Sequence, residues 1–407
     1  MNSAHFQVEY LMSETAQALI PQTGDKPPYR VPSMAEIAAI PWNGFSVVST
    51  FSGCGGSSLG YKMAGFRVLW ANEFIPAAQE VYRLNHPATL LDTRDIRTIQ
   101  PAEILDAIGL RVGDLDLFDG SPPCASFSTA GKRERGWGKA KAYSDTVQRV
   151  DDLFFEYARL IRGVQPKVFV AENVSGLVKG TAKGYFKLIL KALQECGYTV
   201  KARLLDAQWL GVPQSRQRII FVGVRNDLPA QPAFPMPLPY RYSVREAAPN
   251  FIRTDVPIPS EEQGRPLKRR DSKERWNPAT VTDPESLAAS DISTFKIAQY
   301  WEETPIGKAH AQRFSLSKIH PDRPCPTVLQ MAGTLGAGGV THPYEKRKLT
   351  IPELRRICSF PDDFQLTGAY EERWERLGRA VPPVMMMHIA AAVRDHILIP
   401  LREAGHA

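Results

Sequence analysis

The chain has 407 residues, of which 43% are hydrophobic, and this composition allows one large core with a smaller domain and excludes a disordered or fibrous protein. Its formal net charge of +7 favours a polyanionic partner such as nucleic acid, although excess charge can also serve solubility alone. The five cysteines are scattered and form no CxxC pair, which argues against a zinc site or a disulfide framework and for a reducing compartment.

Residues 1–43 are an N-terminal extension, in which the pattern indicates only a helix and a proline-rich linker. The extension lacks a basic stretch that leads into a long apolar run, so no secretory signal is expected. No segment approaches the roughly 20 apolar residues that cross a bilayer. We therefore expect a soluble intracellular protein without a bound metal.

From residue 44 to 225, short β-branched or apolar runs alternate with amphipathic segments of helix length. This alternation is typical of a parallel sheet with crossover helices, so we predict an α/β catalytic domain with a Rossmann-like sheet. The predicted strands are 45–51, 67–73, 115–118, 167–171, 200–205 and 219–224, with one more ending before residue 95. Predicted helices include 144–162 and 184–196.

The first predicted strand runs into the glycine-rich turn FSGCGG, which opens a helix. Glycines there would let the backbone approach a nucleotide-like ligand, at Gly53, Gly55 and Gly56. The lysine that a phosphate-binding loop needs is missing, which excludes an NTPase of that type. The alternative interpretation is a tight strand-to-helix turn without a ligand.

Acidic residues follow the next two strands. Glu73 stands where a carboxylate can accept both hydroxyls of a ribose. Asp95 stands where it can accept a hydrogen bond from an adenine amino group, while Ile96 backs the ring. Read singly, each acid is more often a helix cap or a solvated loop residue.

A thiol, a carboxylate and two guanidinium groups follow later strands of the predicted sheet. Cys124 comes after two prolines that would fix its backbone, as a nucleophile requires, although a structural cysteine is an equal alternative for this motif alone. Glu172 would reach the same sheet edge from the neighbouring strand. Arg216 and Arg218 alternate into a further strand, so at least one could face the pocket, and alone they would be a solvated basic stretch.

The ordered set of motifs resembles the DNA cytosine C5-methyltransferases of bacterial or phage type. The motifs are FSGCGG, NEF, DI, SPPCASFS, ENV, QSRQR, LTIPELRRICSFPDDF and LGRAVPP. The resemblance extends from Phe45 to His388. It implies an S-adenosylmethionine-dependent methyltransferase sheet with a smaller, irregular target-recognition domain and double-stranded DNA as the substrate.

The resemblance also implies roles for individual residues. The residues that would contact S-adenosylmethionine are Phe51, Gly53, Glu73, Phe74, Asp95, Ile96 and Pro122. Cys124 would add to cytosine C6, Glu172 would hold the N3 and amino edge, Arg218 would bind O2, and Arg216 would steady the pocket. A duplex hides C6, so the target cytosine must be flipped out.

Two basic segments are candidates for contacts with DNA. Residues 126–143 resemble a mobile loop that closes over the duplex, with Lys132, Arg133, Arg135, Trp137, Lys139 and Lys141. The second segment is the run 268–276 with Lys268, Arg269, Arg270, Lys273, Arg275 and Trp276, which suits phosphates. A solvated charged loop is the alternative for both.

The resemblance places the target-recognition domain at residues 226–344, including the glycine-rich stretch 333–339 flanked by Thr327 and Thr341. Residues 345–407 would then complete the catalytic domain, with helices near 349–358 and 382–398. We expect a monomer, because one flipped base needs one site.

Arg379 departs from the family pattern, which usually has an asparagine in this motif, beside the donor. An inward-pointing arginine would favour a donor with an extra carboxylate, so one hypothesis is transfer of a carboxymethyl group from carboxy-S-adenosylmethionine. The main interpretation has Arg379 facing solvent or DNA phosphate, with ordinary methylation.

Two further alternatives remain at this point. One branch of the family methylates transfer RNA, but its Cys-Phe-Thr signature is absent here, which favours DNA. A catalytically inactive DNA-binding relative is disfavoured because Cys124, Glu172, Arg216 and Arg218 are all present. The cytoplasm of a bacterial or phage-infected cell, with nucleoid association, is the expected location. A restriction–modification pair, a solitary regulator and a phage enzyme all fit the chain.

Overall fold

An eight-stranded sheet forms the centre of the computed structural model, which describes residues 9–10, 26–123, 141–143, 146–148, 152–178, 183–248 and 283–406. Its strands are β1 (Glu9–Tyr10), β2 (Ser46–Thr50), β3 (Arg67–Asn72), β4 (Leu90–Asp92), β5 (Leu117–Gly120), β8 (Val168–Val174), β9 (Tyr198–Asp206) and β10 (Gln217–Arg225). Two small pairs lie outside it, β6 (Lys141–Tyr143) with β7 (Thr146–Gln148) and β11 (Ser317–Lys318) with β12 (Val340–Thr341).

The strand order in the sheet is β1-β9-β10-β8-β5-β2-β3-β4. Strands β4, β3, β2, β5 and β8 are joined by parallel ladders, whereas β10 is antiparallel to both β8 and β9. Strands β2 and β5 are buried along their whole length, as expected for a sheet covered on both faces. The carboxyl ends of the parallel strands therefore meet at one edge, where ligands bind in open α/β sheets.

The described residues also form α-helices along the length of the chain. They are α1 (Met34–Ala38), α2 (Gly56–Met63), α3 (Pro76–Asn85), α4 (Pro101–Ile108), α5 (Leu153–Val164), α6 (Lys183–Gln194), α7 (Val244–Ala247), α8 (Pro284–Ala289), α9 (Ile297–Glu303), α10 (Ile351–Ile357), α11 (Tyr370–Arg379), α12 (Pro383–Val393) and α13 (Ile399–Glu403).

Two apolar layers cover the sheet. Helices α4, α5 and α6 contribute to one core, with residues such as Ile104, Phe154 and Ile189. Helices α2, α10 and α12 contribute to the other. Because α12 packs against α2, the last part of the chain returns to the glycine-rich turn near its beginning.

The predicted α/β architecture is confirmed, and the predicted strands agree with the structure to within a few residues at each end. The prediction of a wholly parallel sheet is wrong, because β10 runs antiparallel between β8 and β9. The helix predicted over 144–162 is wrong in its first part, because α5 begins only at Leu153. Residues 146–148 instead pair antiparallel with 141–143.

The helical run Tyr370–Glu403 is long and apolar enough to cross a membrane by length and composition. This finding corrects the expectation that no segment reaches that length. Of its most apolar 18-residue window, 56% is buried inside the protein, as in a core helix. The predicted buried helix 382–398 corresponds to α12 and one following π-helical turn, Arg394–Leu398.

Candidate active site

A cavity of about 1520 Å³ opens at the carboxyl edge of the sheet. Its walls come from the strand ends, from the segment 314–338 and from α11. The predicted site residues that line it are Phe51, Gly53, Glu73, Phe74, Asp95, Ile96, Pro122, Glu172, Arg216, Arg218 and Arg379. The fold thus brings together motifs that lie more than 300 positions apart in the sequence.

Two predicted site residues are not among those walls. Gly55 has φ +94° and is the N-cap residue of α2, but a Cβ there would lie 2.1 Å from Nε2 of His86. Close packing against His86 explains this glycine, so its predicted contact with the donor has no support in the geometry. Cys124, like residues 126–140 and 268–276, lies outside the described residues.

The turn after β2 exposes its backbone to the cavity. Phe51 has φ +54°, a left-handed conformation that is uncommon for a residue with a side chain and often occurs at functional sites. Gly53 has φ +56°, and a Cβ there would meet nothing within 4 Å. The turn can therefore receive a ligand closely at Gly53.

Glu73 holds this turn in place. One carboxylate oxygen accepts the Gly53 N–H at 2.7 Å and the other accepts the Ile75 N–H, also at 2.7 Å. Burial raises the pKa of Glu73, and the two N–H donors oppose that shift because they favour the charged form. Each oxygen retains a lone pair that could accept a hydroxyl group.

Asp95 performs the structural role that the sequence left open. It caps a 3-10 turn, Ile96–Thr98, by accepting the Arg97 N–H at 3.0 Å, and it forms an ion pair with the Arg97 guanidinium. Asp95 also lines the cavity beside Ile96. Its role as a cap is therefore compatible with the predicted contact with adenine, which stays a prediction.

Glu172 and Arg218 form an ion pair at the opposite end of the cavity. Nε of Arg218 lies 2.6 Å from Oε1 of Glu172, and both side chains are nearly buried. The antiparallel ladder of β8 and β10 brings them together, since Arg218 pairs with Val174 and Ile220 pairs with Glu172. Burial lowers the pKa of Arg218, and the Glu172 carboxylate opposes that shift. A negative and a positive group thus lie side by side.

Asn173, the residue after Glu172, was not predicted as a site residue. Its amide donates to the Pro122 carbonyl at 3.0 Å, which ties the end of β8 to the chain that leads into Cys124. The ENV motif contains this asparagine, but its sequence gives no sign of the partner.

Arg216 binds main chain from two distant segments. Its guanidinium donates to the Val328 carbonyl at 3.2 Å and to the Gly378 carbonyl at 2.9 Å, and the residue is 1% exposed. Burial lowers the pKa of Arg216 to about 9, with repulsion from Arg218 as the next cause. Arg216 therefore joins the sheet, the segment before β12 and the end of α11.

The QSRQR motif makes further contacts with the same segment. Gln214 accepts the Val328 N–H at 3.2 Å, the Ser215 N–H donates to the Cys325 carbonyl at 2.8 Å, and the Ser215 carbonyl accepts the Thr327 hydroxyl at 2.6 Å. Thr341 is fully buried, and its hydroxyl donates to the Ser317 carbonyl at 3.1 Å.

Arg379 is paired rather than turned to solvent. Its Nε lies 2.7 Å from Oε1 of Glu375, one helical turn earlier, and both side chains are mostly buried. This corrects the expectation that Arg379 faces solvent or DNA phosphate. Glu375 was not predicted as a site residue, although its spacing of four from Arg379 is the sequence signal for such a pair.

Asp119 is a buried acid beneath the cavity. Its carboxylate accepts the Ser49 hydroxyl at 2.8 Å and the Tyr61 hydroxyl at 3.1 Å. Burial raises the pKa of Asp119 to about 7, and the two hydroxyl donors oppose the shift. Asp119 was not predicted, because the sequence does not show which hydroxyls surround it.

The sheet, the turn after β2 (the donor turn, residues 51–55) and the Glu172–Arg218 pair define an α/β enzyme. One cavity of the described residues joins a nucleotide-type site to an acid–guanidinium site. The family model of C-5 cytosine-specific DNA methylases matches residues 45–395. The chain therefore belongs to the C5 cytosine-specific DNA methyltransferases, and the predicted resemblance is confirmed.

Individual relatives agree with this assignment. The chain is 30% identical to the Type II methyltransferase M.NgoPII of Neisseria gonorrhoeae, over 87% of this chain and 96% of the relative. It is also 30% identical to M.FnuDI of Fusobacterium nucleatum, over 86% of this chain and 94% of the relative. The protein is thus a DNA cytosine C5-methyltransferase that uses S-adenosylmethionine, and the alternative of an RNA enzyme is not supported.

Solved structures support the fold. A proposed DNA modification methyltransferase from a prophage (E. coli) superposes with a TM-score of 0.62 at 23% identity, over 87% of this chain and 99% of that one. DNMT2 of Spodoptera frugiperda gives a TM-score of 0.55 at 18% identity, over 84% and 97% of the two chains.

We expect Arg216→Met to loosen the junction between the sheet and the segment around Val328. The variant keeps the apolar stem but leaves the Val328 and Gly378 carbonyls without their donor, at a cost of about 1–3 kcal/mol for each buried acceptor. Urea unfolding would measure the loss. Arg203→Met, on β9 and away from the cavity lining, is the control, and equal free energies of unfolding for Arg216→Met and wild type would contradict this role.

We expect Asp119→Asn to change how stability depends on pH. A folded-state pKa of about 7 against 3.8 means that the folded protein binds the proton more tightly, so the contribution of Asp119 to stability is complete below 3.8 and is lost as pH rises to about 7. The free energy of unfolding of Asp119→Asn, relative to wild type, should therefore increase across that window.

Asp114→Asn is the matched control, since the Arg111 N–H lowers the pKa of the exposed Asp114. Its difference from wild type should change only at pH values below 3.8. Parallel pH profiles for wild type and Asp119→Asn would show that Asp119 is ionised in the folded protein throughout this range.

Proposed function

We propose that Cys124, Glu172 and Arg218 carry out the chemistry on a flipped cytosine, with Arg216 positioning the strand that bears Arg218. The observation that carries the proposal is the nearly buried Glu172–Arg218 pair in the cavity. Pro122 and Pro123, which directly precede Cys124 in the sequence, line that cavity as well.

The pair is complementary to one edge of cytosine. Cytosine presents an amino donor at C4 and a carbonyl acceptor at C2, on either side of N3. A carboxylate can accept from the amino group and from a protonated N3, while a guanidinium can donate to the carbonyl. Thymine and uracil have a carbonyl at C4, which would face the Glu172 carboxylate, so the pair would reject them.

Cytosine C5 is a poor nucleophile, and covalent addition would activate it. The Cys124 thiolate would form a bond to C6, which moves electron density onto C5 and onto the N3–O2 edge that Glu172 and Arg218 stabilise. S-adenosylmethionine supplies the electrophilic methyl group. Methyl transfer would leave S-adenosylhomocysteine as the product of the donor. A water molecule would accept the C5 proton, and elimination of the Cys124 thiolate would restore the C5–C6 double bond.

The donor end of the cavity fits a nucleoside ligand. The backbone at Gly53 is open to the cavity, the Glu73 carboxylate retains acceptor capacity, and Asp95 and Ile96 stand together at the wall. These residues, with Phe51, Phe74 and Pro122, would hold the donor. A carboxylated donor is not supported, because Arg379 already pairs with Glu375 and the relatives are named as methyltransferases.

The substrate would be double-stranded DNA, with residues 226–344 as the target-recognition domain and 345–407 completing the catalytic domain. Flipping the cytosine costs roughly a few kcal/mol, which contacts between protein and duplex must offset. Because the relatives are Type II methyltransferases, we also propose a role in restriction–modification and a location in the cytoplasm. Monomeric action and nucleoid association stay predictions.

Glu172→Gln tests the proposed pair, because it keeps the shape of the side chain but removes its charge. We expect the rate of tritium transfer from labelled S-adenosylmethionine to unmethylated DNA to fall by about 10²–10³-fold. Calorimetric binding of S-adenosylhomocysteine should stay within a few-fold of wild type, since Glu172 lies away from the donor turn. Glu195→Gln, an exposed acid after α6, is the matched control.

A Glu172→Gln variant that transfers the label at the wild-type rate would exclude Glu172 from the chemistry. A wild-type protein that binds the donor product but transfers no label would instead favour an inactive DNA-binding relative.

A further inference from the structure

An exposed aromatic side chain stands at the mouth of the cavity. Phe314 is 80% exposed, and it lines the same cavity as Glu172 and Arg218. Single exposed apolar residues are common on protein surfaces, but a phenylalanine this exposed gains nothing for folding. Its place in this cavity, which also holds the Glu172–Arg218 pair proposed to bind the base, suggests that DNA covers it.

The turn that carries Phe314 is held firmly. The Leu316 N–H donates to the Arg313 carbonyl at 2.7 Å, which closes a β-turn with Phe314 in its second position. Nδ1 of His310 accepts the N–H groups of Gln312 and Arg313 at 3.2 and 3.1 Å. Leu316 is fully buried. The backbone on both sides of the exposed ring is therefore fixed.

The glycine-rich stretch 333–339 supports the same turn from behind. A Cβ at Gly338 would lie 2.0 Å from Oγ of Ser315, so the two segments are in direct contact and no side chain fits between them. Met331, which is 67% exposed, lies just before this stretch and also lines the cavity. The cavity lining thus presents two exposed apolar side chains, Phe314 and Met331.

A flipped cytosine leaves an apolar gap in the base stack. Proteins that distort DNA commonly insert apolar side chains between bases, and a base stacked on an aromatic ring gains about 1–3 kcal/mol. A flat ring on a fixed turn meets this need with less loss of conformational entropy than the flexible side chain of Met331.

We propose that Phe314 is the wedge that enters the duplex and occupies the space vacated by the target cytosine. The proposal rests on the proposed base flipping. It assigns a positioning role to Phe314, because the side chain acts on the stack around the target and not on the reacting atoms.

The test compares DNA in which flipping is costly with DNA in which it is cheap. The methylated sequence is first located by bisulfite sequencing of DNA from a host that expresses the protein. Two short duplexes are then made, one with the target cytosine paired to guanine and one with an abasic site opposite the target. A third duplex carries 2-aminopurine at the target position, whose fluorescence rises when the base leaves the stack.

Phe314→Ala should lower kcat/KM by about 10- to 100-fold on the duplex with guanine opposite the target cytosine. On the duplex with an abasic site opposite the target, kcat/KM should fall by only a few-fold. The rise in 2-aminopurine fluorescence on binding should shrink accordingly. Phe314→Trp keeps an aromatic wedge and should retain most of the wild-type kcat/KM on the duplex with guanine opposite the target. Leu188→Ala, which removes a 56% exposed side chain on α6 away from the cavity lining, is the control.

Equal losses on the two duplexes, or no loss at all, would overturn the proposal. A selective loss for Met331→Ala with none for Phe314→Ala would also overturn it, because the wedge would then be Met331. Failure of the proposed chemistry gives a different result, since a wild-type protein that methylates neither duplex fails before the comparison of variants begins.

Discussion

The arrangement of the cavity walls depends on the hydrogen bonds that the buried guanidinium of Arg216 makes to two distant segments of the chain. A buried charge is costly unless hydrogen bonds compensate it. The two terminal nitrogens of the Arg216 guanidinium donate to the carbonyls of Val328 and Gly378, while its Nε has no partner among the described residues. The Val328 carbonyl belongs to the cavity wall formed by the segment 314–338, and the Gly378 carbonyl belongs to the end of α11. One side chain on the sheet therefore joins the walls of the cleft, while Arg218, two positions later, remains beside Glu172.

Much of the fold could be predicted from the sequence, because parallel strands buried on both faces appear as continuous apolar runs. The positions of Glu73, Asp95, Glu172 and Arg218 at one edge followed from the strand ends and the usual right-handed crossover. The sequence therefore predicts well those site residues that stand directly at the end of a strand or a few positions beyond it.

The sequence could not show features that depend on packing between distant segments. Gly55 looked like a ligand-binding glycine, but its neighbour is His86, which lies 31 positions later on a different element. The pair of Arg379 with Glu375 is different, because its spacing of four residues is visible in the sequence and was overlooked. Asp119 and Asn173 take their importance from hydroxyl and carbonyl partners that only the folded sheet brings near them.

The central claim is that this chain methylates cytosine in DNA through Cys124, and mass spectrometry of nucleosides tests it most directly. The protein and its Cys124→Ser variant would be expressed in a host without cytosine methylation, and the DNA digested to nucleosides. We predict 5-methylcytosine with the wild-type protein and none with the variant. Absence of modified cytosine, a carboxymethyl product, or 5-methylcytosine that persists with Cys124→Ser would contradict the account.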